Sequence, residues 1–319
     1  MFNASNLSTL FDKKVVFKGN LAVIEDDSRF DNQQQTNDTF SEKWVKLDKE
    51  TNTSAMEDFQ KNWVLDLYGF KTEERLENYL KDKKIIIDAG CGLGYKSAWL
   101  AELAPDSMVF GIDFSEAVYV AAERYNHLPN LYFLRGDIAN LPFIENSLDF
   151  ILCDQVIHHT ESPRNTFGHL SKLMSKSGRF ACYVYAKKAL PRELVDDHFR
   201  MATHNFSHEE MWKLSDQLTE LGKTLSGLNL KFTSPDIPAL GIKGGEYDIQ
   251  RFIYWNFLKC FYNKDWTKEE NDSCNFDWYS PSNAERYSPD EYKEWATDLN
   301  LNVDFFRSEE ACHTMIVTK

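Results

Sequence analysis

The sequence predicts an α/β fold built on a mostly parallel sheet with helices on both faces. Two observations predict it. Apolar, β-branched runs recur at 85–89, 108–113, 131–137, 148–155 and 178–186, and helical segments separate most of them. Strands alternating with helices call for a parallel sheet covered on both faces, with its ligand at the carboxyl ends of the strands. The first run also passes directly into a glycine-rich turn, IIIDAGCGLG at 85–94, with three isoleucines, an aspartate and three glycines in ten positions.

That first strand ends where Gly90-Cys91-Gly92-Leu93-Gly94 removes side chains at a sharp turn. The pattern becomes helical from Tyr95. Such a turn lets a ligand approach the backbone and meet the unpaired N–H groups of the helix. A dinucleotide fingerprint needs its third glycine three residues after the second, and here it comes after two. A phosphate loop needs Gly-Lys-Ser/Thr at its close, and Gly94-Tyr95-Lys96-Ser97 does not supply it. Taken alone, the turn reads equally as a device that packs a helix on a strand.

MVFGID at 108–113 is the second strand and ends on Asp113; SEAVYVAAERY then restarts a helix with Ser115 as its N-cap. LYFLRGD, LDFILCDQ and GRFACYVYA supply the third to fifth strands. The alternation then breaks for roughly a hundred residues, too many for a connection in a compact domain. Residues 193–225 look helical, and the segments 247–263 and 275–288 are rich in aromatics. Ser288 and Pro289 open another helix, and VDFFRS and HTMIVTK close the chain as two strands. Three parts follow: an N-terminal extension over 1–75 capping the ligand site, a core of 76–186 with 288–319, and an insertion over 187–287 above the ligand-bearing sheet edge. The polar stretch DNQQQTND at 31–38 reads as a loop.

Hydrophobic residues at 42% and charged residues at 27% of 319 are those of a soluble globular protein. The net charge of -14, without a dense Lys/Arg block, argues against a long nucleic-acid partner. The six cysteines form no CxxC pair and read as reduced structural thiols. The eight histidines include the adjacent His158 and His159 but no spaced ligand set, so no metal is expected. The N-terminus lacks a basic region followed by an apolar run, and no segment approaches ~20 apolar residues; a cytoplasmic protein without a membrane partner is expected.

From Lys84 to Tyr185, and again over the last helix and strands, the chain resembles the class I S-adenosylmethionine-dependent methyltransferases. Asp88-Ala89-Gly90-Cys91-Gly92-Leu93-Gly94 is similar to that family's first motif, D/E-x-G-x-G-x-G. The resemblance implies a Rossmann-like seven-stranded sheet with one antiparallel strand, a helical and aromatic lid, and S-adenosylmethionine as cofactor, released as S-adenosylhomocysteine. It assigns Asp88, Gly90, Cys91, Gly92 and Gly94 to the cofactor's amino-acid end and sulfonium. Asp113, 19 residues after Gly94, is assigned to the ribose hydroxyls, with Phe114 beside it. A carboxylate there also suits the start of the next helix. Asp137 and Ile138 in GDIANLPF are assigned to the adenine, and Asp154 and Gln155, which open the fourth motif DQVIHHTESP, are assigned to the cofactor as well. The usual LKPGG turn before the fifth strand is replaced by MSKSG at 174–178, which touches turn geometry more than cofactor binding.

More narrowly, FSEKW at 40–44, the LPF…HHT…P series and the late DWY.P resemble small-molecule methyltransferases associated with surface-polysaccharide and related biosynthesis. Methyl transfer from a sulfonium is an in-line displacement, helped by positioning and water exclusion. An acceptor that begins protonated needs a base, and His159 or His158 after the fourth strand can supply one. Tyr183 and Tyr185 share one strand face, and Tyr185 at its carboxyl end reaches the acceptor. Arg251, Trp255, Asp277, Trp278 and Tyr279 are the candidates for closing the acceptor pocket, Tyr279 also as a catalytic group. A buried Asp277 needs a partner, which Arg251 or the substrate supplies. Phe40 and Trp44 either close over the cofactor or clasp the N-terminal segment to the core. Methyl transfer to O or N of a small polar or sugar-like acceptor is therefore the expected function. Its rivals are an RNA or protein methyltransferase and a non-catalytic cofactor-binding regulator.

Overall fold

The computed structural model describes residues 8–24, 38–44 and 54–319, and these group into two compact units. One takes its residues from 1–45, 57–186 and 285–319, the other from 46–56 and 187–284. Most of the 31–38 polar stretch lies outside the described residues.

The first unit is organised by one sheet. Its strands are β1 (Val15–Lys18), β2 (Leu21–Ile24), β3 (Ile85–Ala89), β4 (Met108–Asp113), β5 (Leu131–Arg135), β6 (Leu148–Cys153), β7 (Met174–Ala186), β10 (Arg286–Tyr287), β11 (Asn302–Ser308) and β12 (Cys312–Thr318). The order is β1-β2-β5-β4-β3-β6-β7-β12-β11, with β10 pairing β7. From β5 to β7 the strands are parallel, and β12 runs antiparallel to both β7 and β11. The seven strands β5-β4-β3-β6-β7-β12-β11 thus contain one antiparallel member. The sheet departs from expectation at its edge, where the hairpin β1–β2 adds two strands and β2 pairs β5 in parallel. Strand β7 also starts earlier than expected and takes in MSKSG.

Strand alternation divides the core into two layers, because successive side chains point to opposite faces. Ile85, Ile87, Phe110, Ile112, Phe180 and Val184 enter one cluster, and Ile86, Val109, Phe150, Leu152, Ala181 and Ile316 the other. Helices here are numbered from α1 (38–44), followed by α2 (Ser54–Leu67), α3 (Glu73–Leu80), α4 (Tyr95–Leu103), α5 (Ala117–Arg124) and α6 (Pro163–Leu173). The later α11 (Pro289–Asp298) starts with a capping box, in which Ser288 caps the Glu291 N–H and the Glu291 side chain returns to the Ser288 N–H. Helices α6 and α11 cover the first layer through Phe167, Leu170, Tyr292 and Trp295. Helices α3, α4 and α5 cover the second through Leu76, Trp99 and Val118. Ser115 does not cap α5. Its hydroxyl donates to Asp113, and Glu116 takes the N-cap position without a side-chain bond.

The second unit holds α7 (Leu190–Thr203), α8 (His208–Gly227), α9 (Ile249–Asn256), α10 (Lys268–Tyr279) and the hairpin of β8 (Lys231–Ser234) with β9 (Gly245–Asp248). All six cysteines are free thiols. Among the described residues, no helix is long and apolar enough to cross a membrane.

Candidate functional site

Three parallel strands deliver their carboxyl ends to the glycine loop. The N–H groups of Gly90 and Cys91 both donate to the Ile112 carbonyl, at 2.7 and 2.9 Å, which ties the loop to the end of β4. Gly92 N–H donates to Asp113 Oδ2 at 2.7 Å, and Ser115 N–H donates to Oδ1 at 2.8 Å. Desolvation raises the Asp113 carboxyl above its ordinary range, against the pull of these bonds. Each carboxylate oxygen accepts more than one hydrogen bond, so Oδ2 keeps capacity for a ligand. Asp88 is 1% exposed. Its Oδ2 accepts from Ser97 Oγ at 2.7 Å, while Oδ1 has no partner. Burial, offset by Lys96 and Ser97, raises its carboxyl as well. Gly92 has φ +52°, and a Cβ there would meet the Trp44 indole at 2.8 Å. The loop face is thus open to a side chain from α1 and closed to one of its own.

Below the loop lies a buried ion pair that the motif reading missed. Lys96 Nζ donates to Asp154 Oδ2 at 2.9 Å, joining the first turn of α4 to the end of β6. Tyr68 Oη donates to Asp154 Oδ1 at 3.1 Å, and Gln155 Nε2 reaches Oδ2 at 3.1 Å and Gln60 Oε1 at 2.7 Å. Burial pulls the Lys96 ammonium down, but Asp154 and the other negative neighbours outweigh it and hold it above the usual lysine range. Both Asp154 oxygens are thereby engaged by the protein's own donors. Burial also pushes the Tyr68 phenol well up.

Past β6, Ile157–His159 form a 3-10 turn that buries both histidines. The His158 ring lies 3.7 Å from the Tyr185 ring between centroids, and His159 makes edge contacts with Tyr185 at 5.5 Å and Phe40 at 5.1 Å. Tyr183 and Tyr185 share a strand face, 6.1 Å apart. Glu285 N–H donates to the His158 carbonyl at 3.0 Å, which fixes the turn. The fold therefore brings His158, His159, Tyr185 and Phe40 into one aromatic corner.

A sequence profile described as "Methyltransferase domain" matches residues 80–227, the stretch that carries the glycine loop, Asp113, Asp137 and the histidine turn. Residues 80–227 are a methyltransferase domain. The chain is 32% identical over 112 residues to the malonyl-[acyl-carrier protein] O-methyltransferase of Legionella pneumophila, covering 34% of this chain and 39% of that protein. It is 28% identical over 178 residues to the trans-aconitate 2-methyltransferase of Escherichia coli, covering 56% and 62%. The chain thus spans less than two thirds of these relatives. Magnesium protoporphyrin IX methyltransferase (ChlM) from Synechocystis superposes with a TM-score of 0.45 at 14% identity, covering 90% of this chain and 98% of that one.

The cofactor of the methyltransferase domain is S-adenosylmethionine, and the residues present fit it. A loop face at Gly92 without a side chain of its own, lying under the Trp44 indole, a carboxylate with remaining capacity at Asp113 and the orphaned Asp88 Oδ1 lie on adjacent strand ends. Cys91 is buried, its thiol pushed well up by that burial, and its N–H is committed to the Ile112 carbonyl. Phe114 is half-buried and its carbonyl accepts from Arg135. Asp137 Oδ1 accepts from Ala139 N–H at 2.9 Å, and Ile138 packs into the first core layer.

The second unit has its own buried centre. Asp196 accepts from Tyr279 Oη at 2.7 Å, Trp278 Nε1 at 2.7 Å and Arg192 Nε at 2.8 Å. Arg192 also donates to the Tyr254 carbonyl. Sequence reasoning looked to Asp277 for the acid among these aromatics. The structure puts Asp196 at that centre, and the Arg192–Asp196 i,i+4 spacing on α7 was the available signal. Tyr279, expected as an acceptor-side group, has its hydroxyl committed to Asp196, and burial with that carboxylate drives its phenol upward. Arg251 lies over the Tyr254 and Phe261 rings, and Trp255 lies under Lys188. Tyr279→Phe should therefore cost about 1–3 kcal/mol of stability, the scale of a buried acceptor losing a donor. Chemical denaturation measures it, and a change below about 0.5 kcal/mol would remove the hydroxyl from this centre.

Proposed function

We propose that the protein transfers a methyl group from S-adenosylmethionine to an oxygen or nitrogen of a small polar acceptor. The observation that carries this reading is the Gly92 N–H bond to Asp113 at 2.7 Å, which joins the glycine loop and the acid of the next strand into one cradle. When bound, the cofactor supplies an electrophilic methyl on a sulfonium, so no protein nucleophile is required. Asp113 accepts hydrogen bonds from the ribose hydroxyls, while Asp137 and Ile138 border the adenine. Residues 1–75 cap the cofactor, a role supported by Trp44 lying against Gly92. His159 or His158 takes the acceptor proton, with Tyr185 holding both rings. Residues 187–287 supply the acceptor pocket. The net charge of -14 weighs against RNA as the acceptor, and the names of the two relatives, a malonyl group and trans-aconitate, are in keeping with a small acid or similarly polar metabolite. The cytoplasm, where such metabolites and the cofactor are made, is the proposed location.

Purified protein incubated with a metabolite extract and methyl-labelled cofactor should label one small-molecule pool. Labelling of RNA or protein alone would sink the acceptor class, and no labelling despite cofactor binding would favour a regulator. Asp113→Ala should weaken cofactor binding by about 1.5–3 kcal/mol, the scale of charge-assisted hydrogen bonds. Unchanged affinity by calorimetry would take Asp113 out of the ribose role.

A further inference from the structure

Lys259 is 9% exposed, yet its ammonium meets aromatic faces rather than a carboxylate. It lies 4.8 Å from the Trp278 ring centre, 5.6 Å from Tyr254 and 5.9 Å from Phe261. The half-buried Arg251 stands over the same Tyr254 and Phe261, at 5.6 and 5.8 Å. Among the described residues, no carboxylate lies within ion-pair distance of either cation. The nearby Asp196 is taken by Arg192, Trp278 and Tyr279, and Asp248 accepts the Gln250 and Arg251 N–H groups as the N-cap of α9. Cys260 reports the resulting field. Burial pushes its thiol up to about 11, while Arg192, Lys259 and Arg251 all pull it down.

An ammonium held on a largely buried stem against ring faces, with no counter-anion beside it, has its charge only partly offset. A compact oxyanion would offset the rest, because it accepts charge-assisted hydrogen bonds from an ammonium and a guanidinium together. We propose that Lys259 and Arg251, framed by Trp278, Tyr254 and Phe261, form an oxyanion-binding site, and that the acceptor brings this group as a carboxylate or a phosphate. The second half rests on the methyl-transfer reading; the first does not.

The full chain is titrated calorimetrically with malonate and, separately, with inorganic phosphate, and cofactor affinity is measured on the same preparation. At least one anion should bind saturably. Lys259→Met should weaken that binding about tenfold or more while leaving cofactor affinity unchanged, and Lys223→Met, at an exposed lysine beside Glu220, should leave both intact. Malonate binding alone identifies a carboxylate group, phosphate binding alone a phosphate; either supports the site. Failure of the folded protein to bind both anions, or equal binding by Lys259→Met, overturns it. Should Lys259→Met not fold, Arg251→Gln carries the same expectation and the same contrary outcome. Anion binding without cofactor binding would overturn the methyl-transfer reading and leave the anion site standing.

Discussion

Replacing Asp154 with alanine should destabilise the protein by about 3–5 kcal/mol, the scale for breaking a buried pair from one side. The reason is the partner left behind. Lys96 has a side chain only 6% exposed, and its ammonium loses the Asp154 carboxylate it contacts at 2.9 Å. Lys96→Met leaves Asp154 with Tyr68 and Gln155, so it should cost less. The double change Lys96→Met with Asp154→Leu should recover most of the loss, because an apolar pair often replaces a buried ion pair without penalty. The folded state holds the Lys96 ammonium above its usual value, so this contribution is fully present below the unfolded lysine value of about 10.4 and is lost only as pH rises through the higher folded one. The cost of Asp154→Ala should therefore be the same at pH 6 and pH 8. Urea unfolding decides the matter: a loss under about 1 kcal/mol would mean that Lys96 finds another anion, with Asp88 as the candidate.

That pair also marks where reading the sequence ran out. The strand–loop–helix unit at 85–103 was legible because β-branched residues and glycines act locally, and the acid closing β4 lies one strand away. Lys96 shows in the sequence only as a lysine that fails the phosphate-loop spacing, since its partner is 58 residues distant and no local spacing announces it. The hairpin of Val15–Lys18 and Leu21–Ile24 carries a local signal in two short apolar runs around Gly19-Asn20. The helical unit was harder. Its aromatic residues drew attention to Asp277 and Tyr279, whereas the charges that organise the centre, Arg192 and Asp196, sit on a different helix with Lys259 beyond it. An aromatic cluster can be seen in a sequence, but which acid it surrounds depends on helix packing.

The glycine loop offers a way to separate folding from binding, because its glycines face different neighbours. At Gly94, with φ +79°, a Cβ would lie 2.8 Å from the Phe133 ring and 2.9 Å from the Ala121 Cβ, both in the second core layer. Neither neighbour is a flexible side-chain end. Gly94→Ala should therefore cost about 2–5 kcal/mol, combining left-handed backbone strain with overpacking. At Gly92, with φ +52°, the atoms nearest the added carbon belong to the Trp44 indole, at 2.8 Å. The left-handed conformation costs an alanine about 1–2 kcal/mol, and the indole can swing aside. Gly92→Ala should thus keep the fold and lose cofactor affinity by about tenfold or more, since the carbon takes up space on the loop face that the cofactor approaches. Melting temperature and calorimetric cofactor binding, measured on both variants, test the assignment together. If Gly92→Ala binds the cofactor normally, or if Gly94→Ala melts like the unmodified protein, the two faces of the loop have been assigned the wrong way round.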